Sequence, residues 1–359
     1  MRRIMRPFSQ SRPCGQRPAD HIISLLHILI LSCWVAAAVG GCSQYRGLNV
    51  PGRIQSIIEP EHEGSYLLYR PSYYDRDHSW PLIIVCHSSP WDSPNGRIRK
   101  WSQIAEEYGL IAIAPELQAT RSRFAPAEEQ IEGQRADETH ILAVVRHVRG
   151  GYNISEDRIF IHGESGGACA ALYTGLGNPD VFRAVSVVQP RFNSGYLTGV
   201  VDYMDTYQPV LVHYAVSDAI TGHHGRDCAE WLRRYQSRVT EDHGSRSRKG
   251  VQRRVVEFLE HVIGGEPWIQ IRAIREQDAG PLEVRFKLRS SFTPVSYHWD
   301  FGDGETSPVA APIHRYAEPN TYLVIATLTP KKGKPIQRRV TVRVPQDVVA
   351  APVRRESVP

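Results

Sequence analysis

The stretch Arg158-Ile-Phe-Ile-His-Gly-Glu-Ser-Gly-Gly-Ala168 decides how the rest of the chain is read. Ile159, Phe160 and Ile161 form a short apolar run, the pattern of a strand covered on both faces. The run ends in Gly163-Glu164-Ser165-Gly166-Gly167, and the small apolar residues from Ala168 to Leu176 then suit a helix packed on that strand. Strand, sharp turn and helix are the setting that the G-x-S-x-G pattern requires. The serine takes a strained backbone conformation that lifts its hydroxyl above the sheet, and only glycine tolerates the crowding on either side. Ser165 is therefore the expected nucleophile, and Gly166, next in the chain, an expected backbone donor to a developing oxyanion.

Outward from this turn, strand and helix patterns alternate. On the N-terminal side Ser65 to Arg70 and Pro81-Leu-Ile-Ile-Val-Cys86 read as strands. Trp101, Ile104, Ala105 and Tyr108 then fall at helical spacing before Gly109, and Leu110 to Pro115 gives another buried strand. Residues 117 to 135 are polar and expected to wander over the active-site face, and Asp137 to His147 present Ile141, Val144 and Val145 on one helical face. On the C-terminal side Phe182 to Val188 and Pro209 to Ala215 read as strands. Between them Arg191 to Gln208 is an irregular insertion rich in Tyr and Gly, expected as a lid or substrate wall. Helices are expected over about 226–238 and 250–263. This β-α-β alternation predicts an α/β class with a doubly wound, mostly parallel sheet.

Composition sets the frame. The chain has 359 residues, 41% hydrophobic and 23% charged, the balance of an ordinary soluble protein with room for two domains. Its formal charge of +5 comes from 43 basic and 38 acidic residues, but the first 41 positions hold five arginines against one aspartate. The remainder carries 38 basic and 37 acidic groups, so no electrostatic case for nucleic acid survives. The Arg-rich start precedes an apolar run from Ile22 to Val39 and then Gly40-Gly41-Cys42. This arrangement resembles the bacterial lipoprotein signal, which implies cleavage before Cys42, its lipidation, and an exported body anchored at the cell envelope, at an outer membrane or cell surface. An uncleaved membrane anchor is the other reading of the same run. Beyond Cys42 an odd number of cysteines remains, Cys86, Cys169 and Cys228, which implies no disulfide framework. No C-x-x-C or H-E-x-x-H spacing occurs, and no metal or cofactor is expected.

Residues 60–265 resemble the α/β-hydrolase fold, nearest to secreted esterases related to polyhydroxybutyrate depolymerases and feruloyl esterases. The resemblance is carried by Asn153-Ile-Ser-Glu-Asp-Arg-Ile-Phe-Ile-His-Gly-Glu-Ser-Gly-Gly167. A serine hydroxyl attacks at neutral pH only if a base takes its proton, and that base needs an orienting carboxylate. The fold implies the order serine, acid, histidine. Asp218, closing Val212-His-Tyr-Ala-Val-Ser-Asp218, is the expected acid, with Asp227 its rival. His243, in Thr240-Glu-Asp-His-Gly-Ser245 after a meagre strand near 237–241, is the expected base. His223 and His224 follow Asp218 too soon. His261 competes because Val262-Ile-Gly-Gly-Glu-Pro-Trp268 resembles the depolymerases' Gly-Gly-His-x-Trp, but the helical periodicity of residues 251–262 favours His243. The second oxyanion donor is expected from Ser88, where the family carries glycine after histidine and this chain has His87-Ser88. Glu164 is expected to be a surface or supporting residue.

Beyond Pro267 the periodicity changes to alternation, as in Leu282 to Leu288 and Tyr322 to Leu328, which reads as a small β-sandwich. Trp299-Asp-Phe-Gly-Asp-Gly304, His314-Arg-Tyr316 and Tyr322 resemble the PKD domain, an all-β immunoglobulin-like fold thought to bind carbohydrate or protein surfaces. The expected division is signal peptide 1–41, tether 42–59, hydrolase domain 60–265, PKD domain 268–345 and disordered tail 346–359. The leading functional expectation is a membrane-anchored serine esterase acting on polysaccharide- or polyester-derived esters. A peptidase of the prolyl oligopeptidase type and a non-catalytic adhesion or scaffold lipoprotein are the alternatives.

Overall fold

The computed structural model describes residues 51–88, 93–119, 125–218, 221–236, 238–244, 250–265, 267–275, 280 and 282–344. Cys42, the apolar run before it and the tail 346–359 lie outside the described residues.

The apolar runs form the centre of one eight-stranded sheet. Strands β3 (Trp80–Cys86), β4 (Ile111–Pro115), β6 (Ala184–Val188) and β7 (Val210–Tyr214) are buried along their whole length, because helices cover both faces. With β1 (Ile54–Ile58), β2 (Ser65–Tyr69), β5 (Ile154–Glu164) and β8 (Val239–His243), the strand order is β1-β2-β4-β3-β5-β6-β7-β8. From β4 to β8 all neighbours are parallel, while β2 runs antiparallel to both β1 and β4. The sheet is of the expected α/β-hydrolase type.

Helices α2 (Ala127–Gly151), α3 (Gly167–Gly177) and α4 (Thr221–Arg233) lie on one face, sharing a core in which Ile141, Val144, Leu172 and Leu232 meet Leu82, Ile161 and Val187. Helices α1 (Pro94–Tyr108) and α5 (Val251–Ile263) cover the other face, where Ile98, Trp101, Val255 and Leu259 meet Ile83, Val85 and Phe160. Helix α1 has clear stop signals at both ends. Ser93 Oγ accepts from Gly96 N–H, and Gly109 closes the helix at φ 70°.

Three expectations need correcting. The span 42–59 was expected to be a tether, yet β1 begins at Ile54, where Ile54 and Ile57 pack against the two cores. The polar stretch 117–135 was expected to wander, yet α2 starts at Ala127. Its first turns bury Gln130 and Gln134 rather than apolar residues, which hides the helical period. Helix α4 starts at Thr221, earlier than the expected 226.

The insertion between β6 and β7 replaces a crossover helix with two short 3-10 turns, Ser194–Leu197 and Val201–Tyr203. Leu197, Val200 and Met204 anchor it in the core beside α3. It therefore runs from the carboxyl edge of the sheet, where β6 ends, to the amino edge, where β7 begins.

The C-terminal module is a sandwich of two antiparallel sheets. Strands β9 (Ile269–Ile274), β10 (Glu283–Ser290) and β13 (Ile313–Arg315) form one, in the order β13-β10-β9. Strands β11 (Pro294–Asp300), β12 (Thr306–Ser307), β14 (Thr321–Pro330) and β15 (Ile336–Arg343) form the other, in the order β12-β11-β14-β15. Trp299, fully buried among Phe286, Phe301, Tyr316 and Val324, donates its indole N–H to Val309 O at 2.9 Å. Gly302 and Gly304 take positive φ in the turn between β11 and β12, the conformation the Gly-Asp-Gly run provides for.

Candidate active site

Ser165 sits at the apex between β5 and α3 with φ 53°, one of three non-glycine residues at positive φ among the described residues. Such a conformation persists only where the surroundings hold it. Here the Ser165 N–H donates to Val188 O at 2.9 Å, and its carbonyl accepts from Arg191 N–H at 3.1 Å and Ala168 N–H at 3.2 Å. The flanking glycines are required by contact distances. A methyl group on Gly163 would lie 2.3 Å from Gly167 O, and one on Gly167 would lie 2.4 Å from Cys86 O and 2.7 Å from His87 O. The turn can thus pass directly under the end of β3, leaving the serine half-exposed.

Beside the serine lies a polar network that the sequence does not announce. Glu164, expected as a surface or supporting residue, turns inward and pairs with the guanidinium of buried Arg97 on α1, its side chain 15% exposed. Gln252 at the start of α5 donates to the same carboxylate at 3.4 Å. His162, fully buried on the same face of β5, lies 3.7 Å from Glu164 and bonds Ser186 Oγ through Nδ1 at 2.9 Å. Trp101 packs on its ring at 4.9 Å. Burial, aided by the Arg97 charge, pushes the His162 pKa down to about 3, so the ring is neutral at physiological pH.

The expected catalytic partners reach the same edge of the sheet. Ser165 follows the carboxyl end of β5, Asp218 the carboxyl end of β7, and His243 is the last residue of β8. Asp218 is 8% exposed, in a turn where its N–H donates to Ala215 O and its carbonyl accepts from Gly222 N–H. The ring of His243 is half-exposed, 3.3 Å from Glu241 Oε2 and edge-on to Tyr214 with ring centres 4.8 Å apart. Among the described residues no hydrogen bond joins Ser165 to His243 or His243 to Asp218. The rivals are occupied elsewhere. His223 pairs with Asp227 at 3.2 Å along α4, His224 bonds Phe192 O at 3.0 Å, and His261 lies in the last turn of α5.

A second imidazole–carboxylate pair was not expected. His213 of β7 is 1% exposed and meets Asp242 Oδ2 at 2.6 Å, and Asp242 in turn accepts from Arg254 at 2.7 Å. The signal was present in the alternation of β8: Glu241 and His243 face α4, so Asp242 must face α5.

Gly166 N–H, expected as an oxyanion donor, has no hydrogen-bond partner among the described residues and opens the first turn of α3. Ser88, expected as the other, is buried just after β3. His87 accepts Leu117 N–H on Nε2 at 2.9 Å, tying this loop to the end of β4. A cleft of about 670 Å³ separates the insertion from α4, and Arg191 in its wall is the residue whose N–H donates to the Ser165 carbonyl. The walls also include Phe192, Tyr196, His224, Trp231 and Arg234. Among the described residues no cluster of His, Cys, Asp and Glu is arranged to hold a metal ion, and no helix is long and apolar enough to cross a membrane. Cys86, Cys169 and Cys228 are all buried and unbridged.

Comparison with known proteins places similarity at two levels. A stretch of 53 residues is 45% identical to collagenase ColA of Bacillus cereus, covering 15% of this chain and 6% of that protein. The chain thus spans only a small part of the length of the curated relatives it matches. Among solved structures, the CE1 ferulic acid esterase of Anaeromyces mucronatus is 16% identical with a TM-score of 0.43, covering 56% of this chain and 87% of the esterase. The S-formylglutathione hydrolase of Staphylococcus aureus is 13% identical with a TM-score of 0.44, covering 59% and 98%. Residues 266–344 match the family model of the PKD domain, so the chain joins an α/β-hydrolase fold to a C-terminal PKD domain.

Proposed function

We propose that this chain is a serine ester hydrolase in which Ser165 is the nucleophile, His243 the base and Asp218 its orienting acid. The observation that carries the reading is Ser165 itself: a strained serine between two contact-limited glycines, followed by a backbone N–H with no partner among the described residues. That combination suits nucleophilic attack on a carbonyl with the new negative charge received by Gly166 N–H and Ser88 N–H. His243 would take the hydroxyl proton as the carbon–oxygen bond forms and return it to the departing alkoxide. Water, deprotonated by the same ring, would then release the acid and free Ser165. To do so His243 must leave Glu241 and its backbone must move along the sheet edge, because β8 lies three strand spacings, about 14 Å, from β5 and the ring alone cannot span that gap.

The substrates this reading favours are esters derived from extracellular polysaccharide or polyester. The PKD domain would hold a carbohydrate or protein surface, and Cys42 would anchor an exported protein through lipid. A fluorophosphonate probe tests the chemistry. It should label the wild-type protein, fail on Ser165→Ala, and react on the order of 10⁶-fold more slowly with His243→Ala. Equal labelling of wild type and Ser165→Ala would reject the proposal. A second reading, a scaffold with an inert hydrolase domain, is favoured by the contacts of His243 with Glu241 and Tyr214. It expects no labelling of either protein.

A further inference from the structure

A PKD domain joined to an enzyme is usually pictured as a tethered accessory. The contacts here are of a different kind, because strand β9 of the PKD domain is bonded directly to buried groups of the hydrolase domain. Ile271 N–H donates to the carboxylate of Asp205, whose other oxygen accepts Tyr207 N–H at 2.6 Å. Asp205 is 3% exposed and lies within the insertion between β6 and β7. Arg275, at the end of β9, pairs with Asp202 of the second 3-10 turn at 3.0 Å. Arg272 pairs with Asp180 at 3.0 Å and lies over the ring of Tyr203 at 6.0 Å, while Arg338 of β15 lies over Tyr207 at 4.6 Å.

A buried aromatic completes the joint. Trp268 has the Arg183 guanidinium over its ring at 4.2 Å and that of Arg289 at 5.7 Å. Arg183 belongs to the hydrolase domain and is 2% exposed, and Arg289 also bonds Glu156 O at the start of β5. Desolvated cation–π contacts are worth more than exposed ones, and they define one geometry.

The position of these contacts gives them a consequence. The insertion has no α-helical ladder of its own, since both its helical turns are single 3-10 turns. One end, Arg191 to Tyr196, walls the cleft and carries the Arg191 N–H that holds the Ser165 carbonyl. The other end, Asp202 to Tyr207, is bonded to the PKD domain. We propose that the PKD domain is a clamp on this crossover, fixing the cleft wall and the Arg191 bond to Ser165 by gripping the same segment from the opposite edge of the sheet. The clamp itself does not depend on the chain being an esterase, but its effect on substrate rests on that reading.

The first variant changes only the PKD domain, and the decisive readout is the insertion of the hydrolase domain. In the full chain, Trp268→Ala combined with Arg275→Glu should raise amide hydrogen exchange across Leu197–Tyr207 by about tenfold or more, with β3 and β5 unchanged. Unchanged exchange across Leu197–Tyr207 while the amides of β9 lose protection would overturn the clamp. Should the double variant not fold, Arg275→Glu alone is compared with Arg275→Glu plus Asp202→Arg. The clamp requires that the restored opposite charge return protection to Leu197–Tyr207, and no difference between the two would overturn it. Exchange is read whether or not Ser165 reacts with a fluorophosphonate. Loss of the esterase reading and loss of the clamp are therefore separate outcomes.

Discussion

Around Ser165 the decisive residues are those that keep the turn dry and charged groups paired. His162 is neutral because burial excludes its cation, and the unfolded chain would protonate the same ring near pH 6.5. Its folded pKa is depressed, so acid favours the unfolded state: the stability His162 contributes is present above about pH 6.5 and is lost as pH falls from there toward 3. His162→Gln should therefore weaken the acid sensitivity of the urea midpoint between pH 6.5 and 4.5. A variant with the full wild-type slope would show that other groups govern that limb. The tight turn at Ser165 was legible in the sequence because G-x-S-x-G states its own geometry. The inward turn of Glu164 was not, because its partner Arg97 lies on helix α1, far away in sequence, and nothing local to Glu164 records it.

Elements carry the next level of constraint. The elbow works because β5, α3 and the end of β3 approach within the radius of a missing methyl group at Gly163 and Gly167. Gly167→Ala places a carbon against two backbone carbonyls that cannot turn away, so α3 or β3 must shift. Overpacking of this kind costs about 1–3 kcal/mol, and, with Ser165 as the proposed nucleophile, a displacement near 1 Å there costs roughly 100-fold in rate. Denaturant midpoints and probe-labelling rates on Gly167→Ala should show both losses together, and unimpaired labelling would mean that the turn accommodates the methyl. The parallel sheet was legible from its uniformly apolar runs. The start of α2 was hidden by its buried glutamines. Strand β8 read as meagre because its charged residues each serve a partner: Glu241 bonds Tyr214 Oη at 2.9 Å, and Asp242 bonds His213. A strand whose polar residues are satisfied by neighbours in space leaves no alternation of hydrophobicity to read.

Across the whole molecule, the joint between domains carries its own titration. Burial pushes the Asp205 pKa up to about 6 against the opposing pull of the Tyr207 and Ile271 N–H groups and of Arg338 and Arg183. A carboxyl whose folded pKa is raised keeps its proton where the unfolded chain has released it. Stability from this group is therefore greatest near pH 4 and is lost as pH rises through about 6, the reverse of His162. Asp205→Asn should remove that dependence while leaving one of the two N–H groups without an acceptor, for about 1–3 kcal/mol at low pH. Urea midpoints at pH 5 and 7 measure both, and an unchanged pH slope would show that Asp205 does not titrate in this window. The two-domain plan could be seen in the change of period near residue 267, whereas the joint depends on pairings over long sequence separations, such as Asp205 with Ile271. Those contacts have a spatial outcome. The PKD domain meets the sheet where β5, β6 and β7 begin, through Arg289 at Glu156, Trp268 at Arg183 and Ile271 at Asp205, whereas Ser165 stands beyond the far tip of β5. From Arg183, just before β6, to Val188, whose carbonyl accepts the Ser165 N–H, the chain climbs five strand residues, on the order of 15–20 Å. A protein seated on a surface through its sandwich would accordingly hold the Ser165 turn on the side facing away from it, so that, on the function proposed above, dissolved fragments would reach the hydroxyl before the material beneath.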